Sequence, residues 1–415
     1  MILYIIYFIL SPILWILLQL VSIFNTKIRE RSLAYSTLFQ KTKIKIIENH
    51  RDVILFHAAS NGELEQLKPI FRKIDRTKYF ILLTISSPSL INHIPIDIID
   101  TYCYQAFDYP WSTYNFLNNL KPKKYIITRH DIWPNHIILS KMLSIKIYLI
   151  NANLPKFSKR KYPIFVSLYR YLFSKFDGIY TMSSDMQSRL SLLVNDNNKI
   201  KISGDTRIDE ILYRKNKIKE GLLPESFSDS KNIIFGSIEH KDIDIIFDSI
   251  LDIYDKNKTK NIRYIFVPHE INESLITNIE FKLKELNISS CRYNNMDIKT
   301  NVNAIIINEI GILAELYKYT KIAYIGCGFS KGVHNVVEPA IYGNLICFGP
   351  NYHILDEAEE MVKNNLAFSI ESSDELSNIL NYIFDNHYLN NISLSLKKYI
   401  DSKDISSNKI IHEIL

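Results

Sequence analysis

The hydrophobic pattern opens as a block and then becomes rhythmic. From residue 1 to 25 the chain reads MILYIIYFILSPILWILLQLVSIFN, with no charge before Lys27. About 20 apolar residues suffice to cross a bilayer core, so residues 1–25 are expected to form a membrane anchor. Lys27, Arg29 and Arg31 follow at once. Positive charge beside a span marks the cytoplasmic side, which places the rest of the chain there. A cleaved signal peptide would want a basic start, a shorter apolar run and a small-residue cleavage site, and the sequence offers none of these. A helix lying in the membrane interface, kinked at Pro12, is the alternative.

Beyond the anchor, short apolar runs alternate with amphipathic stretches. DVILFHA (52–58), KYFILLTI (78–85), KKYIIT (123–128), IKIYLI (145–150), GIYTM (178–182) and KIKIS (199–203) read as strands. A second series runs NIIFGS (232–237), IRYIFVP (262–268), VNAIIIN (302–308), KIAYIG (321–326) and NLICFG (344–349). Segments such as ELEQLKPIFRKI between them predict helices. Strands alternating with helices build parallel sheets from βαβ units. The expected class is α/β, two Rossmann-like domains facing a cleft, with the polar stretch 212–232 as linker.

Ligands of such sheets bind beyond the carboxyl ends of the strands. That rule selects His57, Ser60, Gly62 and Glu63 after the first strand, and TRHDIWPN (128–135) and SGDTRID (203–209) further on. In the second series it selects VPHE (267–270) and GCGFSKGVHNVVEP (326–339).

Composition narrows the picture. The 415 residues are 47% hydrophobic, enough for two or three cores. Lys+Arg number 50 against 44 for Asp+Glu, a formal charge of +6. This mild excess suits phosphates or an anionic membrane and does not argue for nucleic acid, for which no reading motif appears. Cys103, Cys291, Cys327 and Cys347 show neither CxxC spacing nor a sequence cluster with histidine, so no metal site is expected and the thiols read as reduced. The chain is rich in Ile, Asn and Lys, which reads as mutational bias. Against that background glycine is informative: average usage would give about 29, yet there are 11, and Gly311, Gly326, Gly328, Gly332, Gly343 and Gly349 crowd into 311–349. Such a cluster suits positive φ or close approach to a ligand, with ordinary turns as the plainer reading.

In FHAASNGELE (56–65), Ser60 and Glu63 have the spacing of a capping box. Glu63 is therefore either a cap or a carboxylate set at a site to take a proton. RHDIWPN offers Asp131 as a second carboxylate and Arg129 as an anion contact, or a strand end and a proline turn. Arg207 in GDTRID is a cation for a leaving phosphate, or a surface turn. GFSKGVHNVVEPA leads into a helix with Pro339 at its start, where Asn335 and Glu338 would meet ribose hydroxyls beside a bound phosphate, or merely cap the helix. It is neither a P-loop nor a GxGxxG fingerprint.

Taken together, these segments resemble the bacterial 3-deoxy-D-manno-octulosonic acid (Kdo) transferases, which add Kdo from CMP-Kdo to lipid A precursor. HAASNGE is similar to the family's H-x-x-S-x-G-E, DIWPN to E-x-W-P-N, GDTRID to G-N-x-K-F-D, and GVHNVVEPA to G-G-H-N-x-L-E-P-A. NANLPKFSKRKYPIF resembles N-A-R-x-S-x-x-S, with Asn153 at an Arg place. There are other departures: Arg129 stands at a Glu place, Asp131 replaces Glu, Arg207 replaces Lys, His269 replaces an Arg that touches CMP, and Ile312 replaces Glu.

The resemblance implies a GT-B fold: anchor helix 1–25, acceptor domain 26–211, donor domain 212–385, and a C-terminal helix over 386–415 packing back on the acceptor domain. It implies an inverting transferase with Glu63 as general base, assisted by Asp131 and Arg207. CMP-Kdo would be held by Pro268, His269, Ile310, Gly311, Ile312, Asn335, Val336, Val337 and Glu338. No cofactor and no metal are implied. The partners are CMP-Kdo, the lipid A precursor (lipid IVA) and the cytoplasmic face of the inner membrane. The competing readings are a membrane-associated GT-B enzyme using a UDP-sugar, a tethered two-lobed binding protein, and a transferase that has lost activity.

Overall fold

The computed structural model describes residues 2–156, 158–217, 221–228, 230–257, 262–297, 299–403 and 405–415. Residues 218–220 and 229 of the predicted linker, and Phe157 in the NANLPKF segment, lie outside the described residues. The chain divides into two compact units, Met1–Glu210 with Asp404–Leu415, and Ile211–Lys403.

The first unit carries seven parallel strands: β1 (Asp52–Ala58), β2 (Tyr79–Ile85), β3 (Thr101–Tyr104), β4 (Lys124–Thr128), β5 (Lys146–Ala152), β6 (Gly178–Thr181) and β7 (Ile200–Ile202). Their order is β3-β2-β1-β4-β5-β6-β7. The runs are apolar without a break because helices cover both faces. Alternate residues serve opposite cores: Leu55, Leu82, Tyr125 and Leu149 on one side, Ile54, Ile81, Ile126 and Ile150 on the other.

The second unit repeats the plan with β8 (Lys231–Ile238), β9 (Ile262–Pro268), β10 (Ser290–Arg292), β11 (Ala304–Ile306), β12 (Ile322–Ile325), β13 (Leu345–Phe348) and β14 (Ala367–Ser369), in the order β10-β11-β9-β8-β12-β13-β14. Each unit is a Rossmann-like parallel sheet, as the sequence pattern predicts. In both, the order reverses beside the first strand, between β1 and β4 and between β8 and β12. Such a switch opens a crevice at the carboxyl ends of the two strands.

The sequence pattern did not announce β3, β10 and β14. All three are edge strands of three or four residues, too short for a periodicity to develop. The C-terminal expectation also needs correcting. The helix Asn386–Asp401 stays with the second unit, and only residues 404–415 join the first. Ile410 and Ile414 of the helix Ser406–Ile414 are buried in the same cluster as Leu67 and Ile70.

The helix Ile2–Phe24 is long and apolar enough to cross a membrane, and it runs through Pro12. Yet one face is docked on its own unit. Tyr4 donates to Asn135 Oδ1 (3.1 Å), Tyr7 to Asp108 Oδ2 (2.9 Å), and Tyr109 to the Leu14 carbonyl (3.3 Å). Ser11 is fully buried, while Ile9, Ile13, Ile16 and Leu20 remain exposed. Arg31 is not a membrane-facing charge: it turns inward and donates to the carbonyls of Ser86 (3.2 Å) and Gln105 (2.7 Å), 4.1 Å above the Phe107 ring.

Candidate active site

β1 delivers its last residues to the β1/β4 crevice, and the helix Asn61–Phe71 starts just beyond. Ser60 caps that helix, its Oγ accepting from the Glu63 N–H at 3.4 Å. Glu63 Oε2 reaches back to accept from the Ala59 N–H at 2.6 Å. This is a capping box shifted by one residue, so the cap reading holds. Glu63 is also 3% exposed, far below a surface cap. Burial pushes its pKa up, against the pull of the Ala59 hydrogen bond and the His57 charge, and the charges of Asp131 and Arg129 also act on it. The cap thus immobilises one oxygen of a carboxyl group that burial makes a stronger proton acceptor.

His57, the sixth residue of β1, is fully buried. Its Nδ1 lies 3.0 Å from Thr84 Oγ1, whose hydroxyl donates to the Phe56 carbonyl (2.9 Å), so Nδ1 carries the hydrogen. Its Nε2 lies 2.7 Å from Asp131 Oδ2 and 3.3 Å from Ser86 Oγ. Burial raises the Asp131 pKa, but the hydrogen bond and charge of His57 outweigh it, and the carboxyl sits below its ordinary value. Arg129 follows β4 in left-handed backbone (φ 62°), its N–H donating to the Ile150 carbonyl of β5 at 2.9 Å. Arg31 adds a buried cation, its pKa lowered to about 10 by desolvation and raised in part by Asp131. Glu63 and Asp131 thus lie near enough for the Asp131 charge to act on the Glu63 carboxyl. The sequence selected His57 at the strand end, but its pairing with Asp131 was not legible, because it depends on β4 lying beside β1.

Arg207 is differently placed from the expectation. Its Nε lies 2.8 Å and its Nη2 2.7 Å from Asp205 Oδ2, at the start of the helix Thr206–Lys215. Asp205 is buried; burial raises its pKa, and the Arg207 charge and hydrogen bonds pull it below the usual range. The cation is thus largely spent on an internal anion. Asp205 also accepts from Gln66 Nε2 (2.8 Å), and Thr206 is held by Asn151 at a bulge in β5, which fixes this loop against the helix that carries Glu63.

In the second unit, Pro268 ends β9 and His269 follows it; Ile310, Gly311 and Ile312 follow β11; Asn335, Val336, Val337 and Glu338 follow β12. All leave the carboxyl edge of the sheet. The glycine cluster has a different cause from ligand approach at two positions. A Cβ on Gly326 would lie 2.3 Å from the Ser237 carbonyl oxygen, and on Gly328 2.4 Å from the Gly349 nitrogen, so backbones pass each other there. The helix after GVHN is only Val337–Ile341, with Pro339 at its third position. Asn335 Oδ1 caps it, accepting from the Val337 N–H at 2.9 Å, and Glu338 lies 3.6 Å from Arg214. The helix-start phosphate site expected there is replaced by a side-chain cap. The fold also gathers His269, Cys327 and His334, with ligand atoms all within 4.8 Å of one another. Their sequence spacing gave no sign of this.

A family model for 3-deoxy-D-manno-octulosonic-acid transferase (kdotransferase) matches residues 26–210. The chain is 27% identical to the 3-deoxy-D-manno-octulosonic acid transferase of Aquifex aeolicus over 80% of this chain and 85% of that one. It is 26% identical to the protein of the same name from Rickettsia bellii, over 89% and 88%. Among solved structures, a UDP-GlcNAc 2-epimerase from Neisseria meningitidis superposes with a TM-score of 0.62 at 15% identity, covering 87% of this chain and 98% of that one. A glycosyltransferase from Rickettsia africae gives 0.56 at 12% identity, covering 88% and 98%. The solved structures show the two-domain GT-B fold, and the family model and the sequence relatives show that the chain is similar to the 3-deoxy-D-manno-octulosonic acid transferases over most of its length.

Proposed function

We propose that this Kdo transferase takes Kdo from CMP-Kdo and adds it, with inversion, to the lipid A precursor lipid IVA. Glu63 removes the proton from the primary hydroxyl of the distal sugar. The oxygen attacks the anomeric carbon of Kdo, and the bond to the CMP phosphate breaks. A positioned carboxylate of this kind contributes about 10²–10⁴-fold. The observation that carries the reading is Glu63 itself: a buried carboxyl with raised pKa, held by the Ala59 N–H at 2.6 Å at the carboxyl end of β1. Asp131, kept ionised beside His57, supports positive charge developing on the sugar. Arg207 holds the Asp205 loop rather than acting as a free phosphate clamp, given its 2.7 Å contact.

The donor surface comprises Pro268, His269, Ile310, Gly311, Ile312, Asn335, Val336, Val337 and Glu338. The exposed apolar side of the helix Ile2–Phe24 holds the protein at the cytoplasmic face of the inner membrane, where the acceptor lies. Transfer from CMP-Kdo to lipid IVA by purified protein, followed by mass spectrometry, tests the reaction. CMP should raise the melting temperature and UDP should not. A loss of less than tenfold in Glu63→Gln, with folding intact, would remove Glu63 as the base.

A further inference from the structure

We propose that His269, Cys327 and His334 form a binding site for a soft divalent cation of the zinc class, tying together the loops after β9 and β12. The inference goes beyond the transfer reaction proposed above, which needs no metal, and it stands or falls separately.

The donor set is specific. One thiol and two imidazoles suit Zn²⁺ and its neighbours and are poor ligands for Mg²⁺ or Ca²⁺. Their ligand atoms lie within 4.8 Å of one another. Metal bonds of about 2.0–2.3 Å at tetrahedral angles need separations of roughly 3.3–3.7 Å, so the three must draw in by about 1 Å, within reach of small side-chain rotations. The two rings already stack, with centroids 4.7 Å apart and planes 10° from parallel.

The backbone that presents them is fixed. The His269 N–H donates to the Ile238 carbonyl (2.9 Å). The Cys327 N–H donates to Asp242 Oδ2 (3.1 Å), and its carbonyl accepts from the N–H groups of Ser330 (3.0 Å) and Gly332 (2.8 Å). Cys327 sits in left-handed backbone at φ 66°, as does Ser237 opposite it at φ 54°, an arrangement uncommon for residues other than glycine. Its Sγ now donates to the Ser237 carbonyl at 3.3 Å. Glu239 stands beside the cluster with its carboxylate bonded to Ser330 Oγ (2.6 Å) and Lys331 Nζ (3.0 Å); its charge favours a cation, and Lys331 opposes one. On binding, the Cys327 proton leaves to solvent, two imidazole nitrogens and the thiolate bind the ion, and water completes the shell.

The test uses the full chain in detergent, stripped of metal and titrated with Co²⁺. The expected result is one equivalent bound, with a thiolate-to-cobalt charge-transfer band in the near ultraviolet, and Zn²⁺ displacing the cobalt. Cys327→Ser should lose the band, Cys291→Ser should keep it, and His334→Ala should weaken binding at least about 10-fold. His334 is exposed, so that variant is expected to fold if Cys327→Ser does not. Cobalt bound without the band, a band that survives in Cys327→Ser, affinity unchanged in His334→Ala, or no binding at micromolar metal would each overturn the proposal.

Discussion

His57 Nε2 and Asp131 Oδ2 meet at 2.7 Å, and this contact joins the end of β1 to the loop after β4, the two strands between which the sheet order reverses. The histidine is the inner member, fully buried, while the Asp131 side chain keeps 20% of its exposure. The pair therefore has one foot in the core and one in the crevice.

Removing the inner member should cost more than local packing. In His57→Ala, Asp131 loses the partner that holds its pKa down, and Thr84 and Ser86 lose theirs. Stability should fall by about 1–3 kcal/mol and kcat/KM by at least about 10-fold. Urea unfolding and transfer assays on the same preparation read both. Asp131→Asn, which keeps the shape and loses the charge, should lower activity with less effect on stability.

Glu63 makes opposite predictions for stability and activity. A carboxyl whose pKa is raised on folding holds its proton more tightly in the native state. Its contribution to stability is fully present below the unfolded value and is lost as pH rises through the folded one. Glu63→Gln keeps an acceptor for the Ala59 N–H and has no charge to desolvate. It should melt at or above the wild-type temperature at pH 7, with the advantage shrinking as the pH falls below the folded pKa. Its activity should fall by about 10²–10⁴. In the wild type, the acid limb of kcat/KM should lie above the ordinary carboxylate range.

Arg207→Ala should be first of all a folding variant. It leaves Asp205 buried without its cation, which costs about 3 kcal/mol or more. The double variant Arg207→Ala/Asp205→Asn should recover most of that stability. Recovered activity would mark Arg207 as a positioning residue, and an unrecovered kcat would mark it as a catalytic one.

Tyr7→Phe tests the docking of the N-terminal helix. Asp108, raised to about 6 mainly by burial, would lose one of its donors and keep the N–H groups of Asn135 and His136. The expected cost is about 1 kcal/mol, with vesicle binding unchanged because the apolar face stays intact. Deleting residues 1–24 should abolish vesicle binding.

The sequence made the repeated rhythm of the core strands legible, and β1 and β9 stand where DVILFHA and IRYIFVP predicted them. Central parallel strands are buried on both faces and so announce themselves as apolar runs. Edge strands such as Thr101–Tyr104 do not, since one side and part of each face are less demanding. Glu63 could be found because its cap spacing and strand-end position coincide. The contact of His57 with Asp131 could not, and neither could the approach of His269 to Cys327 and His334, because both depend on which strands become neighbours. The glycines told of crowding correctly but not of its object: at Gly326 and Gly328 the crowding partner is the protein's own backbone.

The docked N-terminal helix has a mechanical consequence. A free tether would let the body tumble above the bilayer and meet the lipid at any angle. Hydrogen bonds from Tyr4 and Tyr7 to Asn135 and Asp108 make the helix part of the first unit instead, so that it behaves like a keel. If its apolar side enters a membrane, as proposed above, the height and tilt of that unit would be set with it. Under the proposed reaction, the search for a lipid acceptor would then become one of lateral diffusion alone.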